Sequence, residues 1–250
     1  MDPAVYAVEH AIEERHWWFA GRRRLFAREL RRAGVAGDAC VLDIGTSTGT
    51  NLRLLRELGL ARVTGLDSSE DAIRFCRDKG LGPVEHGDVL AMPFADASFD
   101  LVLATDIIEH VDEDGRALGE IRRVLRPGGQ ALLTVPAFAA LWGLQDRVAQ
   151  HRRRYRLAAL RRAVQAAGLR PRRAFYFNYL LFLPILLARR LIDALGIELR
   201  SEAEINTPLV NRLLALVFRC DIATAPWLRP PFGVSILLLA EKPAAAPARG

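Results

Sequence analysis

VLDIGTSTGTN, Val41 to Asn51, is the stretch that decides the fold. Val41, Leu42 and Ile44 make an apolar strand, with Asp43 as an acid near its C-terminal end. Gly45 and Gly49 permit a backbone path that a side chain would block, while Thr46, Ser47, Thr48 and Thr50 set small hydroxyls around the turn. A strand running through such a turn into a helix opens an α/β unit, and its edge is where an adenosine-bearing cofactor normally sits. A tight strand-to-helix turn also wants glycine for structural reasons alone. The residues that follow must therefore discriminate.

The next strand, Ala61 to Leu66, ends at Asp67 and Ser68. An acid there can accept hydrogen bonds from a ribose diol, as in nicotinamide enzymes. The dinucleotide fingerprint is G-x-G-x-x-G, whereas this chain has Gly45-x-Ser47-x-Gly49. A pyrophosphate needs a free helix N-terminus, and S-adenosylmethionine carries no phosphate. His86 to Val89 closes a third strand, with Asp88 placed to accept from an adenine amino group. Phe99 to Thr105 is a fourth strand, followed by Asp106-Ile107-Ile108-Glu109-His110-Val111, where Glu109 is expected to cap. Leu125-Arg126-Pro127-Gly128-Gly129 turns a helix into a fifth strand, Gln130 to Val135. Crossover helices are expected at Leu52–Leu58, Asp71–Lys79, Arg116–Leu125 and Leu157–Ala167, as right-handed βαβ units require. Strands around Arg173–Phe177 and at Val234–Ala240 complete the pattern.

In this order, DIGTSTGTN, GLDSS, HGDVLAMPFADASFDLV, EHV and LRPGG resemble the class I S-adenosylmethionine-dependent methyltransferases. The branch is the one related to the ubiquinone and menaquinone biosynthesis enzymes (type 11). The resemblance covers roughly Val41 to Pro136. It implies an α/β fold, a doubly wound seven-stranded mostly parallel sheet of the Rossmann-like methyltransferase kind. It also implies S-adenosyl-L-methionine as cofactor and S-adenosyl-L-homocysteine as product. By resemblance, Asp43 and Gly45 line the methionine end with the loop residues Thr46, Ser47 and Gly49. Asp67 with Ser68 holds the ribose, Asp88 with Val89 borders the adenine, and Thr105 and His110 belong to the cofactor's surroundings. Ser47 is a departure, because relatives usually carry another glycine there.

Residues 1–242 read as one methyltransferase domain. It divides into an N-terminal helical lid (1–36), a cofactor-binding core (37–178), a helical insertion (179–232) and a last strand (233–242), before a disordered Pro/Ala-rich tail (243–250). Within the lid, Glu13-Glu14-Arg15-His16-Trp17-Trp18-Phe19 packs three aromatics in a row, which do not fit one helical stripe. Trp17 and Trp18 are expected to wall a substrate pocket; a satellite hydrophobic cluster is the plainer use. In the insertion, Tyr179 to Ala188 is strongly apolar but too short to cross a bilayer, and Arg189-Arg190 follow it. Leu209 to Phe218 is a further apolar helix, and Pro226, Trp227, Pro230 and Pro231 mark an irregular return to the sheet. Three uses of the insertion stand open: a cap buried on the core or in a homodimer, a wall for a greasy substrate, and a peripheral membrane contact through 179–190.

The net charge of +6 comes almost wholly from arginine, since Lys79 and Lys242 are the only lysines. No recognition-module motif accompanies it, so a nucleic-acid partner is not expected. Three widely spaced cysteines, Cys40, Cys76 and Cys220, show no metal-ligand pattern, and no metal is expected. The N-terminus lacks an apolar h-region, which makes a cytoplasmic protein the expectation.

Methyl transfer from a sulfonium is an in-line displacement, so alignment and water exclusion are the main demands on the protein. A base is needed only for a nucleophile that keeps its proton, such as a hydroxyl. After the fifth strand comes a loop with Trp142, Gln145, Asp146, His151, Arg153, Arg154 and Tyr155. A subfamily of bacterial methyltransferases looks similar here, with a tryptophan-rich N-terminal motif and a His-x-x-Arg-Tyr ending. Those relatives usually have a histidine where this chain has Gln145. His151, Asp146 and Tyr155 are the catalytic candidates, His151 first, because histidine titrates in the range that suits a base near neutrality. Trp142 is expected against the substrate body, and Arg153 and Arg154 against an anionic end. The acceptor is expected to be a small-molecule or lipid- or glycan-linked hydroxyl. A protein or nucleic-acid methyltransferase and a non-catalytic cofactor-binding protein are the alternatives.

Overall fold

The computed structural model describes residues 10–195 and 207–244. Seven strands form one sheet: β1 (Cys40–Ile44), β2 (Arg62–Asp67), β3 (Val84–His86), β4 (Phe99–Thr105), β5 (Leu125–Pro136), β6 (Arg170–Phe177) and β7 (Ser235–Glu241). Their order is β3-β2-β1-β4-β5-β7-β6. The first five pair in parallel, while β7 runs antiparallel between β5 and β6. The strand order reverses beside β1, so the crevice at the C-terminal ends of β1 and β4 is the natural ligand position.

Central parallel strands are apolar on both faces because helices cover both. Leu42, Ile44, Val102, Ala104, Leu133 and Val135 face one cluster. Helices α4 (Asp114–Val124) and α6 (Leu157–Ala166) close it with Ala117, Leu118, Ile121, Leu160 and Val164. Val41, Leu101, Leu103, Leu132 and Leu237 face the other. There, α1 (Trp17–Ala33) contributes Leu25, Phe26 and Leu30, and α2 (Thr50–Glu57) contributes Leu52, Leu54 and Leu55. Cys76 of α3 (Glu70–Asp78) joins them, and α8 (Pro208–Leu228) adds Phe218, Ile222 and Ala225. Within the segment expected as an N-terminal lid, α1 is thus a layer of the core, with Leu25, Phe26 and Leu30 buried.

The insertion departs from expectation at one end. Pro226 and Trp227 lie inside α8, which runs to Leu228 and stops at Arg229 in the left-handed region (φ +47°). A proline there forgoes one helical hydrogen bond; burial of Ala225 and Pro226 against the core offsets it. Asp221 ties the helix to the sheet by accepting the backbone N–H groups of Asn178 (2.6 Å) and Leu180 (2.9 Å) just after β6. The other insertion helix, α7 (Phe182–Leu195), touches the loop after β5. Residues 196–206 and most of the expected tail lie outside the described residues. Among the described residues no helix is long and apolar enough to cross a membrane.

Candidate active site

The turn after β1 is built on left-handed backbone. Gly45 (φ +70°) donates its N–H to Leu66 O at 2.7 Å, which draws the turn onto β2. Gly49 (φ +86°) precedes α2, and a Cβ there would lie 2.7 Å from Leu81 Cδ1. Ser47 also has a positive φ, +48°, a conformation that glycine adopts without strain. That is the physical content of the serine-for-glycine departure.

Asp43 is fully buried. Asn51, in the first turn of α2, donates to its Oδ1 at 3.0 Å and to Thr105 Oγ1 at 2.9 Å, bridging β1 and β4. The Oδ2 atom has no partner. Burial, reinforced by nearby Asp67, pushes the Asp43 carboxyl up to about 8. A buried carboxyl with an orphaned oxygen is short of a donor or a cation. Asp67 closes β2 with Oδ2 accepting from the Ser47 N–H (3.0 Å) and Oδ1 from the Ser69 N–H (2.9 Å). Burial raises its carboxyl and these backbone donors work against that shift. Ser68 and Asp88 are exposed at the same edge, with Val89 buried beside them.

The glycine turn is also gripped from outside. Glu13, buried, accepts from the hydroxyls of Thr48 and Thr50 and pairs with Lys79 Nζ at 2.7 Å and Arg53 at 3.0 Å. Burial opposes its ionisation, but Lys79 and Thr48 outweigh it and hold the carboxyl low. Sequence reading passed over Glu13, because nothing in a Glu-Glu-Arg run marks one acid as buried.

At the ends of β4 and β5, Asp106 (φ +58°) and Phe138 (φ +55°) hold strained backbone, a feature that clusters at functional sites. Asp106 pairs with Arg22 at 2.6 Å, and both meet Thr134 Oγ1. Arg22 also stacks on Trp18 and Phe26. It was legible only as part of a basic run. Glu109, expected to cap, instead lies fully buried in the turn Ile108–His110, with neither carboxylate oxygen hydrogen-bonded. Burial, then Asp106, raises its carboxyl well above the usual range.

The loop after β5 is organised by Asp146. Its Oδ1 accepts from His151 Nδ1 (2.8 Å) and Arg154 Nε (2.7 Å), and its Oδ2 from Arg154 Nη2 (3.0 Å) and the Gly143 N–H (2.8 Å). Burial alone would raise this carboxyl, but the His151 and Arg154 hydrogen bonds and the Arg154 charge outweigh it and hold it well below the carboxylate range. A carboxylate so held is a weak proton acceptor, and its contact with Nδ1 orients His151. Burial, then Asp114, pushes the Tyr155 phenol far above its ordinary range, and its hydroxyl donates to Asp114 Oδ2 at 2.7 Å. Tyr155 pins the loop. Arg153 donates to Asp112 O at 2.7 Å and pairs with Asp114 at 3.1 Å, so both expected anion-binding arginines are engaged by the protein itself. His110, expected beside the cofactor, meets His151 edge to face with centroids 4.8 Å apart. Burial, then His151, lowers it to about 4.

Trp17 and Trp18 both pack on Phe218 at 5.3 Å, and Trp18 also stacks on Phe177. Their bulk helps bind α1 to α8, as the satellite-cluster use requires, and both stay partly exposed. Trp142 remains exposed. The insertion reaches the same loop: Arg189 donates to Leu141 O, and Phe182 meets Phe138 at 5.5 Å.

The family profile of the methyltransferase domain (type 11) matches residues 42–133. The chain is 33% identical over 198 residues to the malonyl-[acyl-carrier protein] O-methyltransferase of Erwinia pyrifoliae, covering 77% of this chain and 75% of that protein. The chain belongs to the class I S-adenosylmethionine-dependent methyltransferases. Demethylmenaquinone methyltransferase of Staphylococcus aureus is 31% identical over 129 residues, 47% of this chain and 54% of that one. Against other curated relatives the matched stretch spans 31% to 55% of their length. A methyltransferase complex containing the Haloferax volcanii Trm112 activator shares the fold, with a TM-score of 0.65 at 24% identity over 97% of this chain and 96% of that one.

The orphaned Asp43 Oδ2, the left-handed turn and the acid closing β2 fit the cofactor of this methyltransferase family. Asp67→Asn exchanges one acceptor oxygen for an amide donor that faces a backbone N–H. Cofactor binding is expected to weaken by roughly 1.5–3 kcal/mol. The melting temperature falls with it, because the same carboxylate holds the turn. Calorimetric titration checks this, and an unchanged dissociation constant would place the ribose elsewhere.

Proposed function

We propose that the protein moves a methyl group from S-adenosylmethionine to a hydroxyl oxygen on an apolar, lipid- or glycan-linked acceptor. The observation that carries the reading is the His151 imidazole. A buried acceptor-only carboxylate holds its Nδ1–H, leaving Nε2 to take a proton beside the β4 and β5 ends. On this reading Asp43, Gly45, Thr46, Ser47 and Gly49 hold the amino-acid end of the cofactor. Asp67 and Ser68 hold the ribose, Asp88 and Val89 border the adenine, and Thr105 closes the methyl side. The bound cofactor supplies a methyl group already activated on a sulfonium. Asp146 stabilises the imidazolium that forms when His151 accepts the hydroxyl proton, and Tyr155 with Arg153 and Arg154 keeps the loop in place.

An apolar acceptor is supported by the surface next to the loop. Leu183, Leu187 and Leu191 recur at four-residue spacing on α7, each more than half exposed, with exposed Arg190 among them. An exposed apolar stripe of this kind suits a bilayer interface, with the long Arg190 side chain reaching from its edge up to the headgroups. The named relatives agree in part: one is an O-methyltransferase of a carrier-linked group, and another acts on demethylmenaquinone.

The test supplies methyl-labelled cofactor and a bacterial membrane extract. Label is expected in the organic phase as a base-stable ether. Label released by mild alkali would mean a carboxyl acceptor, and label confined to protein or nucleic acid would overturn the reading.

A further inference from the structure

Glu109 is unusual even for an active site. Its side chain is fully buried, and neither carboxylate oxygen has a hydrogen-bond partner. Buried carboxylates almost always have partners. The backbone around it is fixed, since Arg152 N donates to Glu109 O at 2.8 Å and joins the turn after β4 to the loop after β5. That contact brings His151 opposite Glu109 and its neighbour His110. Ligand-capable atoms of Glu109, His110 and His151 all lie within 4.8 Å of one another.

We propose that Glu109, His110 and His151 bind a divalent transition-metal ion. Two imidazoles and one carboxylate with positions left open are a donor set for zinc, iron or manganese rather than for calcium or magnesium. The partner behind His151 is the expected one for a ligating histidine. Asp146 takes the Nδ1–H at 2.8 Å, which fixes the tautomer and presents the Nε2 lone pair. Bonds to such an ion are about 2.1 Å long. At tetrahedral angles three such ligands stand about 3.4 Å apart, so side-chain rotation must close the widest pair, within 4.8 Å now, by up to about 1.4 Å on binding. The ion answers what Glu109 lacks, a positive partner for a carboxylate with no hydrogen bond.

The site's existence is independent of the hydroxyl-methylation reading; its role rests on that reading. The acceptor hydroxyl takes an open position on the ion, which lowers its pKa, and the proton passes to solvent. The oxygen lone pair then forms the O–CH3 bond as the C–S bond breaks, leaving a neutral thioether. One Nε2 lone pair cannot both ligate and accept a proton, so His151 is the base of the metal-free form and a ligand of the metal-loaded form, where the ion takes over proton loss.

Metal-stripped protein titrated with Co2+ is expected to show visible d–d absorption saturating at one ion per chain, displaced by Zn2+. His110→Ala and His151→Ala should each abolish the stoichiometric absorption. Asp146→Asn should weaken Co2+ binding by about 10–100-fold, while His86→Ala, at an exposed histidine outside the set, leaves it unchanged. Retained cofactor binding shows that each variant is folded. Should the variants fail to fold, the wild-type titration decides alone: absence of saturable binding by Co2+ and Zn2+ overturns the site. Binding unaltered in both histidine variants overturns it equally. Ether formation undiminished in metal-stripped protein would remove the ion's role and leave the hydroxyl reading standing. Stoichiometric metal binding with no ether product would do the reverse.

Discussion

Replacing His151 by Ala is expected to lower turnover by roughly 10²–10⁴-fold, the range that a positioned proton-transfer group contributes. Cofactor affinity should stay nearly unchanged. The imidazole lies at the ends of β4 and β5, whereas Asp43 and Asp67 close β1 and β2 on their own hydrogen bonds. Its Nδ1 faces a carboxylate that is ionised throughout the working pH range, so the ring is held as a donor at that nitrogen. Losing the ring removes the proton acceptor of the metal-free form and a ligand of the metal-loaded one, and leaves the Asp146–Arg154 pair behind it intact. Single-turnover rates with the membrane extract, beside calorimetric titration of the cofactor, separate the two quantities. A turnover drop of less than tenfold would reduce His151 to a loop-orienting residue.

Asp146→Ala should cost about 3–5 kcal/mol of folding stability, as removal of one partner from a buried ion pair does. Asp146 is 0% and Arg154 3% exposed in their side chains, so the guanidinium is left with one charge partner fewer and little water. The Gly143 N–H loses its acceptor too, and Arg189 Nη1, 3.8 Å away, loses a counter-charge. The pH dependence has a definite sign. Asp146 has a folded pKa below its unfolded value, so its contribution is present above the unfolded pKa near 4. It is lost as pH falls through the folded pKa. Urea melts at neutral pH and at pH 3 should therefore differ less in the variant than in the parent protein. Equal losses on acidification would show that this network does not govern acid stability.

The cofactor half was legible because its residues are set by local backbone demands. Glycines at left-handed positions, acids at strand ends and the apolar runs of β1, β4 and β5 all write themselves into short stretches of sequence. Most strand boundaries followed within a residue or two; the exceptions are Leu125, where pairing with Phe99 begins before the Pro-Gly-Gly turn, the end of β3 at His86 and the start of β6 at Arg170. Asp146 and His151 were visible as chemistry-bearing types, but their division of labour was not. It depends on Arg154, which pairs with Asp146 only once the loop has folded. Glu13, Arg22 and Asn51 were passed over for a related reason. Each acts through a partner on another element, and a charged or amide residue on a helix reads as solvated until that partner is in place. The packing of Trp17 and Trp18 on Phe218 was not legible, because aromatic clustering serves a core and a pocket equally well.

The position of β7 has a consequence for how this molecule comes into being. It follows every other strand in sequence, yet it lies between two of them, pairing Leu238 with Leu133 on one side and with Ala174 on the other. Until it is inserted, β5 and β6 each present a bare hydrogen-bonding edge, and the nascent chain must carry both. Everything from β1 to β5 can assemble during synthesis, but the loop bearing His151 springs from β5 and is braced by helix α7, which precedes β7. The cofactor half is thus built early from neighbouring contacts, while the acceptor half waits on the slowest kind of pairing, between segments distant in sequence.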